Sequence, residues 1–164
     1  MKINMVESYH YGVIIEFFTF GELSRFYSYL TLKDKNEIAK YFIQEYRHKD
    51  RLYKYLGSWL HCCTNLRNRC AHFGVLYNKP FSKAPKGFVD EKVSHSLWVL
   101  ILIIKWLHPY VDQWEKEFIP QLKSIVSSYL EDSDLKRLHF PNNWEELLKT
   151  RSQTLSFKEN GLRI

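Results

Sequence analysis

Residues 51–78 read RLYKYLGSWLHCCTNLRNRCAHFGVLYN, and this stretch decides the fold. Its apolar residues fall at Leu52, Leu56, Trp59, Cys63, Leu66, Cys70 and Phe73, in alternating steps of four and three. Steps of that kind trace a single apolar stripe along an α-helix. At about 100° per residue the opposite face carries His61, Asn65, Asn68 and His72. A face turned to bulk water is usually rich in Lys and Glu. This one holds neutral amides and imidazoles, which suits a covered cleft or a second packed surface. Arg67 flanks it, about 60° from the axis of the stripe. One helix therefore has a core side and a working side, and His61 and Asn65 lie where a partner surface would meet it.

Composition sets the bounds. With 164 residues, 45% hydrophobic and 16% aromatic, the chain is large enough for a proper core and reads as one domain spanning 1–164. Within it, 1–18 is a lead-in segment and 151–164 a polar tail. Six glycines and five prolines leave little room for the tight turns of an all-β fold. A net charge of +6 favours an anionic partner, nucleic acid first. Three cysteines, two of them adjacent, make no disulfide framework and suit a reducing, cytoplasmic setting. The N-terminus lacks a secretory signal pattern. The most apolar run, Leu97 to Ile104 (LWVLILII), stops at Lys105, well short of the ~20 residues a membrane-spanning helix needs. It reads as a buried helix, with no membrane partner.

Along the chain, Thr19 and Glu22 have the spacing of a capping box that opens a helix through about Leu30. Asp34 and Glu37 repeat the device before the apolar face of Ile38, Tyr41, Phe42 and Tyr46. Val13 to Phe18 is a short strand or an irregular lead-in, and Arg47 to Arg51 is a turn. Gly74, Pro80, Pro85 and Gly87 punctuate a basic loop after His72. Asp90 caps a helix with the body Val93 to Leu107, apolar nearly all round and suited to the centre of a bundle. Tyr110 to Tyr129 is helical, with Pro120 at a break or restart. Asn142 and Glu145 cap a last helix, Trp144 to Lys149. The expectation is an all-α bundle of about five helices.

Arg67 and His72 stand five residues apart around a helix end. An Arg can hold phosphate by two prongs and stays charged. A His near neutral pH can take a proton from a ribose 2′-OH or give one to a departing 5′-oxygen. Those are the two needs of metal-free RNA cleavage. Alone, R-x4-H is a weak pattern, and a solvated Arg beside a helix-end His explains it as well. Zinc is not expected: Cys63 and Cys70 point with the core stripe while His61 and His72 point away, so one helix cannot converge them on a tetrahedral ion. No Gly-rich phosphate loop, GxSxG or HExxH is present. The loop from Tyr77 to Phe88 offers Asn78, Lys79, Lys83 and Lys86 to RNA, with Arg69 behind them. Its composition fits a plain solvated loop equally well.

The strings LRNRCAHFGVLYN and FFTFGELSRFYSYL together resemble the Abi-like (abortive infection) proteins of bacteria, which carry a motif close to LRNxCAHxxRLYN and an earlier FGxLSxLY segment. Those proteins fall within the HEPN superfamily, defined by R-polar-x3-H. The resemblance covers about Phe17 to Asn78. It implies a helical bundle, a homodimer or pseudo-dimer with two motifs facing each other, and metal-independent endoribonuclease activity without a cofactor. By the same resemblance Arg67 and His72 are the catalytic pair and Asn68 orients the His. Two positions depart from the pattern: Phe73 and Val75 stand where many relatives have His or Tyr and then Arg. The expected function is RNA cleavage in phage defence or as a toxin. The alternatives are a non-catalytic RNA-binding or regulatory module, or an interaction domain of a toxin–antitoxin pair. Partners on these readings are RNA, a second copy, and a cognate antitoxin or regulatory RNA.

Overall fold

Thr19 opens the first helix as its spacing to Glu22 requires. The Glu22 N–H donates to Thr19 Oγ1 at 3.3 Å, and the Thr19 N–H donates to the Glu22 carboxylate at 2.7 Å. In the computed structural model, which describes residues 18–42, 52–88, 91–149, 156–158 and 161–163, this helix (α1) runs Phe20–Tyr29. Most of the lead-in, the turn at Arg47–Arg51 and the Asp90 cap lie outside the described residues.

The second helix, α2, runs Leu32–Phe42 and corrects the expected cap. Thr31, not Asp34, sits before its first turn: the Asp34 N–H donates to Thr31 Oγ1 at 3.3 Å, and the Thr31 hydroxyl donates to the Asp34 carboxylate at 2.7 Å. Asp34 is thereby in the first turn, where a negative charge complements the helix dipole.

The long helix α3 is Leu52–Ala71, and α1, α2 and α5 pack on it. Leu52, Leu56, Trp59 and Cys63 of the stripe are buried, joined by Cys62. A fully buried Leu contributes roughly 1.5–3 kcal/mol, so this half of α3 anchors the fold. Tyr27 of α1 is the cross-tie. Its hydroxyl lies 3.1 Å from Lys35 O and 3.2 Å from Tyr53 O, and burial pushes its pKa up to about 12. The ring lies over Gly57, where a Cβ would stand 3.4 Å from Tyr27 Cε1. The stripe then leaves the core: Leu66 is half-buried, while Cys70 and Phe73 are exposed. Cys70 had been expected in the core. It misses because the apolar cover over α3 ends near Leu66.

The expected Val93–Leu107 helix is two pieces, α4 (Glu91–Ser94) and α5 (Leu97–Leu107). Ser96 causes the break, because its hydroxyl accepts the Val99 N–H at 3.4 Å and so starts a new helix. α5 is central, as its all-round apolar character demands. Val99, Leu100, Ile103 and Trp106 face the α3 cluster, whereas Trp98, Ile101 and Leu102 belong to a second cluster with Trp114, Trp144 and Leu148. The helix is wide enough to part Trp98 from Trp106 into separate cores. Lys105 is buried, and its Nζ donates to Leu147 O at 2.5 Å.

The second core is closed by α6 (Val111–Gln113), a π-helical turn over Trp114–Phe118, and α7 (Ile119–Tyr129). Pro120 has no N–H to donate, and the wider turn before it fits the chain around that gap. A short helix that the sequence pattern had not suggested, α8 (Asp132–Arg137), precedes α9 (Trp144–Lys149). The fold is an all-α bundle. Within the expected polar tail, strands β1 (Ser156–Lys158) and β2 (Gly161–Arg163) pair antiparallel, Phe157 opposite Leu162.

Candidate functional site

The end of α3 is built by a glycine. The Gly74 N–H donates to Arg69 O at 2.7 Å and the Phe73 N–H to Cys70 O at 3.1 Å, the paired bonds of a Schellman motif. The motif requires a left-handed residue at Phe73, whose φ is 53°. At Gly74 a Cβ would lie 2.6 Å from Arg69 Cγ and 2.9 Å from Arg69 O, so only glycine fits. His72 is the capping residue of this turn, its N–H held by Asn68 O at 3.0 Å. Its side chain is exposed, and Phe73 beside it is 98% exposed.

Arg67 and Asn68 are also exposed, and Arg67 Nη1 donates to Asn68 Oδ1 at 3.2 Å. The side chain of Asn68 thus steadies the guanidinium, while its backbone carbonyl fixes the start of His72. The expected link from the Asn68 amide to the imidazole is replaced here by the link to Arg67. Beside Arg67 lies an apolar groove of about 360 Å³ lined by Phe20, Cys63, Leu66, Ile104, Leu107 and Pro109, among others. It opens where α5 ends and the α3 stripe loses its cover.

Arg69 does something the sequence did not suggest. Its guanidinium stands 4.3 Å over the Phe81 ring and donates to Lys79 O at 3.2 Å and Pro80 O at 3.3 Å. It clamps the following loop onto α3. The loop is fastened again by the Tyr77 hydroxyl to the Asp134 carboxylate at 2.5 Å, with Arg137 Nη1 donating to Tyr77 at 3.1 Å. The Tyr77 bond, then that from the Glu131 backbone, holds the Asp134 carboxyl below its usual range.

The residues expected to contact RNA divide between two surfaces. Asn78 and Lys79 line a cavity of about 340 Å³ with His95, Arg137 and His139. Lys83 and Lys86 line a different groove, together with His61. Asn65 is half-buried on α3 between His61 and Asn68. Sequence reading missed Arg25, Lys35 and Lys54, which meet Lys83 and Lys86 there. No local signal marks them, because each sits on a separate turn or element. Among the described residues no three metal-ligating side chains come together. Cys62 and Cys63 are buried, which pushes their thiols up to about 11 and about 12. No helix among the described residues is long and apolar enough to cross a membrane.

Residues 6–78 match the family model described as Abi-like protein, so that segment of the chain is similar to Abi-like proteins. The match ends at Asn78, six residues past His72, and so takes in the whole of α1, α2 and α3. It supports an abortive-infection type of function. No curated protein and no solved structure matched the chain.

Proposed function

We propose that the chain is an endoribonuclease of the HEPN type that works without a metal ion and acts in phage defence or as a toxin. The observation that carries this is Arg67, Asn68 and His72 together on the exposed last turn of α3, inside the Abi-like segment. In the reaction, the ribose 2′-oxygen gives up its proton to a base and bonds to the adjacent phosphorus. The bond from phosphorus to the 5′-oxygen breaks, and that oxygen takes a proton from an acid. The products are a 2′,3′-cyclic phosphate and a 5′-hydroxyl. Arg67 grips the phosphate, and His72 is one of the two proton-transfer groups. The other comes from a second copy. The apolar groove beside Arg67 and the exposed Phe73 and Val75 support such a partner surface, because apolar area of this kind is usually covered.

The test is incubation of RNA with the native chain and with His72→Ala, both in EDTA. Cleavage by the native chain alone, leaving cyclic phosphate ends, is expected. RNA left intact across several RNA types sinks the reading, and so does cleavage that EDTA abolishes. Light scattering at tens of micromolar protein should give a dimer mass. One observation favours a second reading: Phe73 and Val75 put apolar surface where a cation would hold RNA, as a regulatory or antitoxin-binding module would. RNA bound but never cut would decide for it.

A further inference from the structure

At the other end of the α3 working face, cations gather in one groove. Arg25 from α1, Lys35 from α2, Lys54 from α3 and Lys83 and Lys86 from the loop line an open groove of about 660 Å³, with His61 on its wall and no carboxylate among the described residues that line it. The loop lysines are not there by drift. The Lys86 N–H donates to Ser58 Oγ at 2.9 Å, Lys86 O accepts from Trp59 Nε1 at 2.9 Å, and Lys83 O accepts from Cys62 Sγ at 3.6 Å. Their backbones are pinned to α3 while their side chains edge the groove. Lys35 is partly engaged, donating to Ser28 O at 2.6 Å. The Thr19 bonds, and to a lesser degree the Arg25 charge, hold the carboxyl of Glu22, the acid closest in sequence to Arg25, below its usual range.

Like charges brought together repel unless an anion shares them. A single phosphate engages two or three cations; this set is spread over three helices and a loop, which suits a chain of phosphates. Direction comes from helix geometry. The eleven steps from His61 to His72 place both within about 20° on one face and ~16 Å apart along the axis, with Asn65 and Asn68 between. We propose that the groove binds the phosphate backbone of single-stranded RNA and delivers the strand along that face to Arg67 and His72. The delivery rests on reading those two residues as the cleavage pair; the binding does not.

The test measures anisotropy of a labelled single-stranded RNA of about twenty nucleotides over a range of salt, in the His72→Ala chain so that the probe stays whole. Each neutralised contact should reduce the slope of log affinity against log salt by ~0.7. Arg25→Gln, Lys54→Gln and Lys86→Gln combined should therefore flatten it by ~2 and weaken binding by ~10-fold or more. Lys33→Gln, Lys116→Gln and Lys123→Gln make the same change in net charge outside the groove and should leave the slope near the parent's. Lys54→Gln alone, at an exposed position, should show about a third of the effect of the groove triple. Equal slopes for the two triples overturn the groove. With otherwise native chains the readings separate further. If the native chain cuts RNA and the groove triple leaves both KM and slope unchanged, the groove falls and the cleavage reading stands. If the native chain never cuts, yet the groove triple abolishes binding, the cleavage reading falls and the groove stands.

Discussion

The two halves of α3 obey different rules. From Leu52 to Cys63 the helix is walled in by α1, α2 and α5, with Leu52, Leu56 and Trp59 at most 1% exposed. From Arg67 to Phe73 it stands clear, held by backbone bonds of its closing turn and by the Arg69 clamp. The same apolar period runs through both. What differs is the cover: α5 ends at Leu107 beside Leu66, and α3 continues past it. Burial earns stability only where a partner exists, so the covered half carries the fold and the bare half is left for chemistry.

The largest effect should come from the bare half without disturbing the other. His72→Ala should lower RNA cleavage by about 10²–10⁴-fold, the usual value of a positioned proton-transfer group. Arg67→Lys should also impair it, since an ammonium keeps the charge and loses the planar fork. Neither should change the unfolding free energy beyond the ±0.5 kcal/mol or so expected of exposed sites. If either unfolds the chain, the division along α3 is wrong.

Next in size, Trp59→Ala in the covered half should cost about 3–5 kcal/mol, read by denaturant unfolding. It also removes the bond to Lys86 O, so loop protection in hydrogen exchange should fall with it. A loss below about 1 kcal/mol would mean that the site collapses far more readily than a packed core does.

A smaller effect belongs to the closing turn. Gly74→Ala should destabilise by about 1–3 kcal/mol, as an added methyl in a tight site does, because the Cβ would meet the Arg69 backbone oxygen. Cleavage should fall as well, since His72 and the loop start from that turn. The smallest change has the opposite sign. Phe73→Gly should stabilise by about 1 kcal/mol, relieving a left-handed residue whose ring is nearly all in solvent. Destabilisation instead would show that the Phe73 ring is covered in solution, as a second copy would cover it.

The helix class, the extent of α3, the Thr19 cap and the span of the last helix were legible in the sequence. Each depends on residues within about four positions, where apolar period and cap bonds act. The R-x4-H cluster was legible for the same reason, since one helix end holds all of it. Two local readings still failed, the Thr31 cap and the Ser96 break, because a neighbouring hydroxyl competed better for the same N–H groups. Only the tertiary structure decided where the apolar cover stops, leaving Cys70 and Phe73 outside, and how α5 divides Trp98 from Trp106. It alone brought Arg25, Lys35 and Lys54 to the loop lysines, and made Arg69 a clamp through carbonyls ten and eleven residues away. Periodicity gives each side chain a direction on its own helix. What it meets there is set by elements distant in sequence, through packing that no local pattern encodes.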